Sequence, residues 1–65
     1  MTQAEAKRAV QEACADNLKK VFGILAANLL AESPDGAGQK FKAECALYLR
    51  AYKIAMAVVE DVFKD

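Results

Sequence analysis

Residues 41–63 read FKAECALYLRAYKIAMAVVEDVF, and their spacing decides the architecture. Phe41, Cys45, Tyr48, Tyr52, Ala55, Val59 and Val62 recur at intervals of 4, 3, 4, 3, 4 and 3. A helix turns about 100° per residue, so these positions form one unbroken heptad seam, with Met56 and Phe63 beside it. One neighbouring helix is enough to cover such a seam. A second stripe, Leu47, Ala51, Ile54 and Val58, repeats at 4, 3 and 4 on roughly the other side of the same helix. A single neighbour leaves that stripe wet.

Working back from residue 41, the chain meets its one punctuation point, Ser33-Pro34-Asp35-Gly36-Ala37-Gly38, which holds the only Pro and two of the three Gly. It divides the sequence nearly in half. Ser33-Pro34 has the form of an N-cap followed by N1. Gly36 and Gly38 weaken that first turn, so a turn over 33–38 is predicted, with helix 2 firm from about Gln39 to Phe63. The first half is as rich in good helix formers as the second. Thr2 and Glu5 have the spacing of a capping box, which predicts helix 1 from about Gln3 to Glu32. Its apolar residues, Val10, Cys14, Leu18, Val21, Phe22, Leu25 and Leu29, spread over a broad arc. Asn17, Ile24 and Asn28 stand on one shoulder. An arc this wide suits two neighbours better than one.

Two long helices with a short connection make an antiparallel αα-hairpin. The predicted fold is therefore all-α, one helical-hairpin domain over residues 1–65. A hairpin encloses no core, and even compact chains of this length bury only about 60% of their unfolded surface. Dimerisation into a four-helix bundle covers the second stripe and is the expected outcome. Leu47, Ala51, Ile54 and Val58 are the candidate partner and dimer interface, with Leu30 a candidate addition near the turn. The competing reading is a lightly apolar solvent face, since single exposed Leu or Val residues are ordinary.

Other residues admit two uses each. With the chain turning near residue 35, residue j of helix 2 lies opposite residue 71 − j of helix 1. Tyr52 then meets the level of Asn17, and a Tyr52–Asn17 hydrogen bond is expected, contact with a ligand or partner being the alternative. Asn17 and Asn28 either set register within the seam or sit at its rim. Cys14 and Cys45 lie about twelve residues apart in level, roughly 18 Å, too far for an intrachain disulfide. They are expected to be free thiols acting as small hydrophobes. Asp16 with Lys20 and Glu60 with Lys64 have i,i+4 ion-pair spacing.

The composition narrows function. Nine Lys+Arg balance nine Asp+Glu, and there is no His. That excludes histidine-dependent chemistry, and with no CxxC a zinc site is not expected either. No Ser stands near a base, no Gly-rich phosphate loop exists, and the carboxylates form no catalytic pair. No enzyme activity, no cofactor and no small-molecule substrate are expected. The longest apolar run, Val21–Ala31, contains Gly23 and Asn28 and falls well short of the roughly 20 residues that span a bilayer. With no secretory leader and two cysteines, a cytoplasmic location away from membranes is expected.

What remains is binding. The expected role is a small non-enzymatic protein–protein interaction module or regulator, of adaptor, anti-activator or co-chaperone type. It pairs with itself and offers an apolar stripe to another protein. The alternatives are a structural subunit of a helical assembly, or nucleic-acid binding through the row Lys42, Arg50, Lys53 and Lys64. The neutral net charge and the interrupting Glu60 and Asp61 weigh against nucleic acid. In layout, two helices of similar length around a short polar turn, the chain is similar to the plasmid-encoded Rop-type hairpins. That likeness implies a dimeric four-helix bundle and RNA binding. It is one of layout and transfers no functional residue.

Overall fold

The computed structural model describes residues 1–31 and 33–64. It contains two α-helices, α1 (Gln3–Ala31) and α2 (Pro34–Val62), packed against each other as a hairpin. Glu32, the last residue of predicted helix 1, lies outside the described residues. The capping box closes the start of α1: the Glu5 amide donates to Thr2 Oγ1 at 3.2 Å, and the Thr2 amide donates to Glu5 Oε1 at 3.2 Å.

The turn predicted over 33–38 is a correction. α2 begins at Pro34, about five residues earlier than expected, and Ser33 is its N-cap. Proline forces the residue before it into extended backbone, and Ser33 sits at φ −65°, ψ 152°. That conformation aims its hydroxyl at the first turn, where Oγ accepts the Gly36 amide at 3.2 Å. Pro34 supplies a helical φ at N1, and Asp35 places a carboxylate at the positive end of the helix dipole. No glycine among the described residues has positive φ. Gly36 and Gly38 are helical residues here, and Ala37 between them is fully buried. A Cβ at Gly38 would meet no atom within 4 Å, and one at Gly36 would meet only the Ser33 hydroxyl, so neither glycine is required by contact with α1.

The short connection moves the register. The Lys7 ammonium meets the Glu60 carboxylate at 3.1 Å, and Gln3 Nε2 donates to the Phe63 carbonyl at 3.2 Å. Residue j of α2 therefore stands opposite about 66 − j of α1, not 71 − j. Cys14 faces the level of Tyr52, and Asn17 that of Tyr48. Among the described residues no hydrogen bond joins Tyr52 to Asn17; the expected bond is replaced by a shared hollow. Cys14 and Cys45 are free and half-buried. By this register they differ in level by about seven residues, roughly 10 Å, still beyond disulfide reach.

The seam on α2 runs as expected from Phe41 to Val59. It then leaves through half-buried Phe63, and Val62 is exposed. On α1 the buried line runs through Ala6, Val10, Cys14, Asn17, Val21, Leu25 and Asn28. The two asparagines thus lie within it, half-buried, while Phe22 and Leu29 from the expected arc are exposed.

The Cα trace measures 49 × 15 × 9 Å, one helix long, two wide and one thick. Only Ala6, Val21, Ala37 and Val59 are buried among the described residues. The surface is 4872 Å², against about 4,000 Å² for a compact monomer of the chain's 7.0 kDa. The radius of gyration is 15.0 Å, against about 11 Å for a compact chain of this length. Two stacked helices do not enclose a core.

Candidate functional site

The hairpin has two broad sides, and the rotation of each helix assigns residues to them. On one side a hollow of about 210 Å³ lies between the helices. Its floor is small, with Ala13 from α1 and Ala51 and Ala55 from α2, and Asn17, Tyr48 and Tyr52 line it with polar groups. The stripe flanks this hollow. Leu47 is 57% exposed, Ile54 61% and Val58 53%, and Ala51 belongs to stripe and hollow alike. Val62 continues the apolar edge toward the open end. The same side therefore carries large apolar side chains beside a recess floored by alanine. Bulk and recess on one surface are what a self-complementary, two-fold contact requires.

Leu30 does not belong to this side. It lies about 160° round α1 from the seam, and its 92% exposure faces away from the stripe.

On the other side a shallower hollow of about 270 Å³ is lined by Gln11, Ala15 and Leu18 of α1 and Leu49 of α2. Phe22 and Leu29 extend this side toward the turn. They follow Leu18 and Leu25 at spacings of 4, 3 and 4, a signal present in the sequence but dissolved in the broad arc. Leu49 was missed because it fits neither stripe of α2.

The basic row runs along this second side. Lys42, Lys53 and Lys64 stand on the flank of α2 beyond Leu49, and Arg50 lies further round toward the back. Lys64 approaches Asp61 at 4.0 Å. Lys42, Arg50 and Lys53 have no ion-pair partner among the described residues.

The expected i,i+4 pairs are also corrected. Asp16 meets Lys19 at 3.9 Å instead of Lys20, and Glu60 reaches across to Lys7 instead of Lys64. A cross-helix cation lies closer to Glu60 because α1 supplies it at the facing level.

Among the described residues no group of three or more Cys, Asp or Glu side chains is placed to hold a metal ion. No described helix is long and apolar enough to cross a membrane. Comparison of the chain with protein-family models, with curated proteins and with solved structures finds no match.

Proposed function

We propose that the chain is a non-enzymatic helical-hairpin interaction module that pairs with a second copy through the Leu47, Ala51, Ile54 and Val58 stripe, forming a four-helix bundle that serves another protein as a regulator or adaptor. The observation that carries this is the exposure of three large apolar side chains in helical register beside an alanine-floored hollow. Monomeric proteins seldom leave such periodic apolar surface in water, because each buried large side chain is worth about 1.5–3 kcal/mol. A second copy supplies both halves of the fit. Its Ile54 and Val58 approach the hollow of the first, and the first returns the same contact. The cytoplasm suits this reading, since the two thiols stay reduced there.

Ile54→Asp tests it. The side chain is exposed in the hairpin, so the substitution leaves the α1–α2 seam untouched and places a charge inside the paired interface. Sedimentation equilibrium should give a paired wild type and a variant of chain mass, or one unfolded for want of its partner. A variant with the mass and helicity of the wild type refutes the stripe as the interface.

A further inference from the structure

Two hairpins can meet across the Ala51 side in two ways that keep a two-fold axis. With both turns at one end, α2 of each copy lies on α1 of the other. With the turns at opposite ends, α2 lies on α2 and α1 on α1. Helical rotation places Ala9, Ala13, Lys20, Ile24 and Ala27 of α1 on this side, with Asp16 at its outer edge. All six are exposed.

Large and small residues are distributed between the helices in a complementary way. By the 66 − j register, Ile54 and Val58 stand at levels where α1 offers Ala13 and Ala9. Ile24, the large residue of α1 on this side, stands nearer the turn than Leu47, where the stripe of α2 has ended. Same-end pairing thus sets the large residues of each helix on the small ones of the other.

Charge favours the same arrangement. Arg50 of one copy then shares a level with Asp16 of the other, and Glu44 comes within about two residues of the level of Lys20. Arg50, Glu44 and Lys20 have no ion-pair partner among the described residues, and Asp16 has Lys19 at 3.9 Å. One like pair arises, Asp61 with Glu5 at the open end. Both are engaged there, Glu5 in the capping box and Asp61 beside Lys64. Lys40 lies near the turn, opposite Ala27.

Opposite-end pairing does worse in either register. Full overlap gives Asp16 the Lys20 of the other copy, but it brings Lys40 between Ile54 and Val58, sets Glu44 at the level of Tyr52, and leaves Arg50 only about 6 Å along the axis from its own counterpart. Centring the stripe on itself instead slides the copies apart by about 13 Å. A face of 49 × 15 Å offers about 700 Å² per copy in full overlap, near the ~800 Å² per partner of a standard interface, and the slide gives up about a quarter of it.

We infer that the two copies pair with their turns at the same end, so that Leu47, Ile54 and Val58 of each are covered by the alanine face of the other's α1, with Arg50–Asp16 and Glu44–Lys20 ion pairs between copies. This rests on the self-pairing reading and adds to it the orientation of the second copy and the α1 residues that it touches.

A spin label on Leu30→Cys, in a chain carrying Cys14→Ala and Cys45→Ala, reads the orientation. Leu30 is 92% exposed and points away from the stripe. Circular dichroism and sedimentation first establish that the labelled chain is helical and paired. Position 30 lies about 13 residues from the middle of α1, so double electron–electron resonance should place the two labels about 25 Å apart across the bundle, against about 40 Å for turns at opposite ends. A distance near 40 Å in a paired chain overturns the inference and leaves self-pairing standing. Single-chain mass at every concentration removes both. Charge variants test the orientation with the native cysteines in place. Arg50→Asp and Asp16→Arg, both at exposed positions, should each weaken pairing about tenfold, since the two-fold repeats every repulsion. The double variant should recover most of that loss, because it restores opposite charges between copies. A double variant weaker than either single variant contradicts same-end pairing, because opposite-end pairing sets each swapped residue against a like charge.

Discussion

Ser33 and the glycines behind it show how far single residues decide the hairpin. Ser33 is extended because Pro34 follows it, and the extended backbone is what turns its hydroxyl onto the Gly36 amide. Ser33→Ala removes that acceptor and should cost about 1 kcal/mol, read as a lower urea midpoint at unchanged slope. The glycines were the part of this segment that the sequence obscured. Gly36 and Gly38 have the composition of a turn, and a turn was expected. The structure uses them as helix, because the cap, Pro34 and Asp35 together start the helix before the glycines are reached. Ala37 then packs it down onto α1. Propensity is a weak local preference, and capping with tertiary contact outweighs it. Gly23 is a simpler case. It sits mid-helix in α1 without positive φ, and a Cβ there meets no atom within 4 Å. Gly23→Ala should therefore stabilise the hairpin by about 0.5–1 kcal/mol, seen as a raised thermal midpoint.

At the scale of the elements, the start of α1 closes the end of α2. The Gln3 amide on the first turn of α1 donates to the Glu60 and Phe63 carbonyls, which the end of α2 leaves open. Beside it Lys7 reaches Glu60. These contacts hold the open end of the hairpin and set its register. The pair is partly exposed, so Glu60→Gln should lower stability by less than about 1 kcal/mol, a difference that shrinks at high salt; equilibrium unfolding at two ionic strengths reads it. The two-helix layout and the α2 seam were legible because a 4, 3 repeat from Phe41 to Val59 has one geometric meaning. Register was not legible. It depends on how many residues the connection consumes, and moving the start of α2 from Gln39 to Pro34 shifts every facing pair by about five. Tyr52 met Cys14 instead of Asn17 for that reason alone. The two sides of α1 also merged in the sequence. A broad arc does not say which of its edges faces the partner helix, and only the packed pair separates the Asn17–Asn28 line from Phe22 and Leu29.

For the molecule as a whole, the governing fact is that two helices cannot hide this much apolar side chain. The surface exceeds that of a compact monomer of equal mass by about a fifth. The excess falls on two sides of different character. One combines Leu47, Ile54 and Val58 with an alanine-floored recess and suits a copy of itself. The other exposes Phe22, Leu29 and Leu49 beside a flank of mixed charge. The stripe was visible in the sequence through its spacing, whereas the recess beside it is made jointly by Ala13 and Ala55 from opposite halves of the chain and exists only once the helices are packed. The proposed pairing would link stability to concentration, since dissociation would expose the stripe again. Sedimentation equilibrium of the unmodified chain across a dilution series, with helicity followed at each step, measures this directly. Self-pairing requires twice the 7.0 kDa chain mass at high concentration and a joint fall of mass and helix content on dilution. A fully helical species of single-chain mass at every concentration, with Leu47, Ile54 and Val58 in water, contradicts it.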